Sequence, residues 1–119
     1  MPDSPVIDPQ AIENLRALNP GDNDEFLREI AGIFLEDNPL RLNELDQSAL
    51  TGDVAKFTRA AHSIKGSSAN LGASSLRAMA EKLEHQVRTQ GLADVAGLIA
   101  QIKLEFDRPQ RALNALIGK

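Results

Sequence analysis

From Asp8 onward the apolar residues return every three or four positions, and no segment alternates with the period of two that a strand requires. A chain patterned this way must bury helical stripes against one another, so the expected fold class is all-α. Asp8-Pro9 opens a short first helix, with Asp as cap and Pro at the first helical position, carrying Ile12, Leu15 and Leu18. Asn19-Pro20-Gly21-Asp22 stops it. A second helix is expected from Asp22 or Asn23, with Glu25 placed as in a capping box. It carries Phe26, Ile30, Ile33 and Phe34, then Leu42, Leu45 and Ala49, and Pro39 is expected to kink or split it. The third runs from about Asp53 to Leu71 and stops at Gly72. Ser74 or Ser75 is the expected cap of a fourth, with Leu76, Met79, Ala80, Leu83 and Val87, ending at Gly91. The last carries Val95, Leu98, Ile99, Ile102 and Phe106, then Leu113 and Leu116, with Pro109 expected to kink or break it. The architecture this implies is an antiparallel four-helix bundle with an additional short N-terminal helix. Residues 1–7 read as a flexible tail and 8–119 as one domain.

Composition narrows the function. There is no cysteine, which excludes disulfides, zinc fingers and thiol catalysis. Tyr and Trp are absent, which argues against a stacking platform for single strands. Thirteen Lys and Arg against 17 Asp and Glu give a charge of −4, so no general pull toward nucleic acid or anionic lipid is expected. No apolar run approaches the roughly 20 residues that span a bilayer. The start lacks the basic and apolar regions of a signal peptide, and a cytoplasmic location is expected.

The third helix carries a histidine off its buried stripe. At about 100° per residue, Val54, Phe57, Ala61, Ile64, Ser68 and Leu71 share one side, and His62 lies roughly 130° from its centre. His62 therefore points to solvent or to the bundle rim. One turn on stand Lys65 and Gly66, with Ala69 a further turn along. Glycine inside a helix costs about 1 kcal/mol relative to alanine, and here it clears bulk from beside the ring. Lys56, Arg59 and Lys65 oppose Asp53 alone between 53 and 66, three cations against one carboxylate. Such a patch around a nucleophile suits an incoming phosphoryl group. An imidazole attacks only when neutral, and its ordinary pKa of about 6.5 leaves it mostly so at pH 7. Each feature also has a bland reading. A surface histidine can be merely solvated, Gly66 can mark a helix contact, and Ser67 and Ser68 can bond back to earlier carbonyls.

The run Ala61-His62-Ser63-Ile64-Lys65-Gly66-Ser67-Ser68-Ala69-Asn70-Leu71-Gly72-Ala73 resembles the signature of histidine-containing phosphotransfer (HPt) domains, intermediates of multistep phosphorelays. Phe26-Leu27 through Asn38-Pro39, the Thr51-Gly52-Asp53 turn and Leu83-Glu84 before Gly91 are similar to the family's layout. The resemblance implies that His62 is phosphorylated through Nε2, that Lys65 assists the phosphoryl group electrostatically, and that Gly66 gives a partner access. It makes Ser67, Ser68 and Gly72 structural positions. It implies response-regulator receiver domains or a hybrid sensor histidine kinase as partners, with Mg²⁺ held by the receiver and no metal or cofactor on this chain. Phosphate would come from a receiver aspartate and pass to another, with no ATP-dependent kinase activity here. Ala55, Arg59, Ala69, Ile12 and Leu15 are the candidate partner-binding residues, although Ile12 and Leu15 fit the core better than an interface and Arg59 can be a merely solvated charge; a monomer is expected over a dimer.

His85 serves as a contrast. It too should be exposed, but Glu81 and Glu84 flank it and no glycine clears its side. The two histidines are not at helical metal-ligand spacing. The alternative to a carrier is a helical adaptor or inhibitor that binds a receiver or kinase without accepting phosphate.

Overall fold

The computed structural model describes residues 6–118, which form five helices. These are α1 (Pro9–Leu18), α2 (Glu25–Thr51), α3 (Val54–Leu71), α4 (Ser74–Gln90) and α5 (Ala96–Leu116), with no strand among the described residues. The expected tail falls mostly on residues 1–5, outside those described; at its inner end Ile7 is half-buried against the core. Contacts run α2 to α3, α3 to α4, α4 to α5 and α5 back to α2, closing the four long helices into a bundle. The two-residue turns Gly52-Asp53 and Gly72-Ala73 make successive helices antiparallel. α1 packs on α2 and α3.

Most of the stripes read from the sequence are the core, but Leu18, Ile33, Val54 and Leu116 are exposed, and Leu27, not counted in the second stripe, is buried. Phe34, Phe57, Leu45, Ile64, Leu71, Leu76, Leu83, Ile102 and Leu113 are all fully buried. Phe34 of α2 and Phe106 of α5 meet with ring centroids 5.7 Å apart. None of the helices is long and apolar enough to cross a membrane.

Two caps differ from expectation, and neither proline splits its helix, each for an identifiable reason. α2 starts at Glu25 without a capping box, because Asn23 and Asp24 both take left-handed backbone (φ 61° and 64°) and turn the chain first. Asp22 Oδ2 instead accepts from the Phe26 N–H over 3.0 Å. α4 has no serine cap: Ala73 occupies the cap position, and Ser74 reaches back to the Gly72 carbonyl at 3.5 Å. Neither Pro39 nor Pro109 interrupts its helix. Beside Pro39, the Asn38 side chain donates to the Phe34 carbonyl over 3.0 Å, while Pro109 is buried in the bundle as an apolar residue.

The helix that bears His62 is defined at both ends. Asp53 Oδ1 accepts from the Lys56 N–H over 3.0 Å at its start. Gly72 closes it with φ +72°, a conformation that glycine adopts freely.

Candidate functional site

Phe57, Ala60, Ala61, Ile64, Ser68 and Leu71 bury one side of α3, and that burial turns His62 outward near the middle of the helix. Its side chain is 70% exposed. Ala55, Arg59, Gly66 and Ala69 lie around it on the same face, all exposed, with Lys65 half-buried. A Cβ built on Gly66 meets nothing within 4 Å, so the shoulder of the ring is open space.

A carboxylate that the sequence reading set beside His85, and not among the site residues, completes the site. Glu84 reaches across from α4, and its Oε2 lies 3.5 Å from His62 Nδ1, a long contact, while its Oε1 lies 2.8 Å from Lys65 Nζ. Its side chain is only 13% exposed and that of Lys65 26%. The ammonium approaches Oε1 outside hydrogen-bond geometry, which leaves that oxygen buried with an ionic partner and no hydrogen bond. Counting along an antiparallel pair would have found this carboxylate. His62 stands ten residues before Gly72 and Glu84 eleven after Ala73, so the two sit at nearly equal height. Glu84 also follows Leu83 on the edge of the buried α4 stripe.

The same contacts revise the charge expected here. Lys65 is neutralised by Glu84, Lys56 rests 3.4 Å from Gln47 Oε1, and Asp53 is spent on its cap. Arg59 is left without an ion-pair partner among the described residues. His85 is exposed as expected, and the carboxylate of the adjacent Glu84 is engaged with His62 and Lys65.

The remaining motif residues separate in role. Ser67 Oγ donates to the Ile64 carbonyl (3.2 Å) and accepts from Asn38 Nδ2 (3.1 Å), tying α3 to α2. Ser68 is fully buried in the seam and its hydroxyl has no partner. Gly72 is buried against α1. Among the proposed docking residues, Ile12 falls on the core side of its two readings: it is 6% exposed, because α1 lays its apolar side onto the bundle. Leu15 is half-buried against the same core.

No group of three or more His, Asp or Glu residues is placed to hold a metal ion among the described residues. The larger clefts lie elsewhere, one at the α1–α2 loop around Arg16 and Asp22, another between Leu50 and Ile99. The site is therefore an exposed imidazole with a neighbouring ion pair.

Residues 29–112 match the Hpt domain family model. The solved structure of histidine-containing phosphotransfer protein B from Pseudomonas aeruginosa PAO1 is similar over 97% of this chain and 96% of its own, at 27% identity and a TM-score of 0.86. No curated protein gives a significant match.

Proposed function

The chain belongs to the Hpt domain family, and from that membership we propose that it serves a phosphorelay by carrying the phosphoryl group on His62. The donor is a receiver-domain phosphoaspartate, in a response regulator or a hybrid sensor kinase, and the acceptor is a second receiver aspartate. The observation that carries this reading is the ring itself, 70% exposed, with Nδ1 turned to Glu84 and open space at Gly66.

A carboxylate facing Nδ1 favours the Nδ1–H form of the neutral ring, which leaves the Nε2 lone pair outward. Nε2 attacks phosphorus in line; the N–P bond forms as the P–O bond breaks, and the electron pair leaves on the receiver aspartate. The receiver supplies Mg²⁺ and the groups that stabilise charge at phosphorus. This chain supplies a positioned nucleophile and an exposed docking face, with Ala55, Arg59 and Ala69 around it. It acts as a phosphocarrier. The contact must release after transfer, which suits a small interface at or below about 1,200 Å².

A non-phosphorylated adaptor is the weaker reading, since binding alone has no need of an accessible imidazole beside an engaged lysine. Mixing the chain with a phosphorylated receiver, without ATP, decides between them. The expected result is an acid-labile, base-stable label that His62→Gln abolishes. No label from any receiver of the source organism overturns the carrier reading, and equal labelling of His62→Gln moves the site elsewhere.

A further inference from the structure

Lys65 is already engaged by a carboxylate before any phosphoryl group arrives. Its ammonium lies 2.8 Å from Glu84 Oε1, and that oxygen is buried with no hydrogen bond to replace it. Drawing Lys65 away would leave a carboxylate oxygen buried and unpaired, which is costly. A phosphoryl group on Nε2 would instead stand at the exposed edge of a ring that is 70% open to water, where its attraction for Lys65 is screened. The two anions therefore compete for one cation, and the more buried one holds it.

We propose that Glu84 is an internal counter-charge that competes with the phosphoryl group for Lys65 and so keeps phospho-His62 transferable. This rests on the carrier reading above and concerns regulation of the same site. Glu84 is a positioning residue here, acting through Lys65 and the ring. Its second oxygen works in the same direction. By facing Nδ1 it favours a proton there, so that when the N–P bond breaks and its electron pair returns to Nε2, the departing group is neutral imidazole and not an imidazolate. In that step the acceptor carboxylate forms the new O–P bond and the Nδ1 proton stays in place.

Glu84→Gln keeps the side chain's size and removes its charge. Each protein is labelled with phosphoramidate, a small donor that needs no docking, and two quantities are followed: the loss of label in the absence of partner, and the equilibrium of label with a cognate receiver. Glu84→Gln should slow the loss and shift the equilibrium toward this chain by about threefold, the scale of a partly screened ion pair. The equilibrium shift should shrink markedly when Lys65→Ala is also present, because the contested cation is then gone. Lower retention of label in Glu84→Gln, no change in either quantity, or an equally large equilibrium shift in the Lys65→Ala background overturns the proposal. A wild-type chain that takes label from phosphoramidate but exchanges it with no receiver overturns the carrier reading alone, and the rates of label loss still judge Glu84.

Discussion

The backbone N–H of Asp8 donates to the carbonyl of Gly72 over 2.9 Å, so the start of α1 is fastened to the residue that ends the histidine-bearing helix. The same Asp8 caps α1, its Oδ1 accepting from the Gln10 N–H over 3.0 Å. Gly72 thus closes one helix and seats another, a stricter demand than the helix-closing role the motif suggests.

Substituting Gly72 should therefore cost more than an ordinary helix end. A Cβ there would stand 2.7 Å from Asp8 Cβ and 2.8 Å from both Ala11 Cβ and Asp8 N, on backbone at φ +72°. Gly72→Ala is expected to lose about 1–3 kcal/mol and to loosen α1 first. Urea unfolding measures the loss, and amide exchange at Ala11 and Ile12 shows whether α1 is where it falls.

Gly66 should behave in the opposite way. It lies inside α3 with nothing within 4 Å of a Cβ, so Gly66→Ala should stabilise the fold by about 1 kcal/mol. Gly66→Gln should fold as well, yet fill the space a partner needs. Transfer from a receiver should drop about tenfold or more, while labelling by phosphoramidate stays at the wild-type level. Equal loss with both donors would show that Gly66 does not act through access.

The adjacent serines separate under the same substitution. Ser67→Ala removes the acceptor of Asn38 Nδ2 and should cost about 1 kcal/mol. Ser68→Ala removes a buried hydroxyl that bonds to nothing and should lie between neutral and about 1 kcal/mol stabilising. Thermal or urea unfolding of the pair checks the order; a larger loss at Ser68 contradicts it.

Arg59 and Ile12, both candidate docking residues, should diverge as well. Arg59→Ala should leave stability within about 0.5 kcal/mol while slowing association with a receiver and flattening its salt dependence. Ile12→Ala should cost about 2–5 kcal/mol, as a core truncation does. Stopped-flow transfer at two ionic strengths, together with unfolding curves, distinguishes the two behaviours.

Much of the molecule is legible before folding because helix periodicity is local. The spacing of Phe57, Ala61, Ile64, Ser68 and Leu71 alone says which way His62 faces, and burial in the structure agrees. Asp8, Asp53 and Gly72 likewise mark helix ends through bonds made within a few residues. The prolines do not split their helices, because the cost of a missing N–H is local, while the packing that keeps α2 and α5 continuous is distributed over the bundle.

By itself, then, the sequence determined the helical class, the buried stripes, and an outward imidazole with lysine and glycine one turn beyond. Tertiary structure alone decided what those side chains meet: that Glu84 from α4 faces His62 and claims Lys65, and that Gly72 seats α1. The physical reason is distance along the chain. Periodicity and capping act over three or four residues, whereas an ion pair between 65 and 84, or a backbone bond between 8 and 72, exists only once the packed helices bring those residues within a few ångströms.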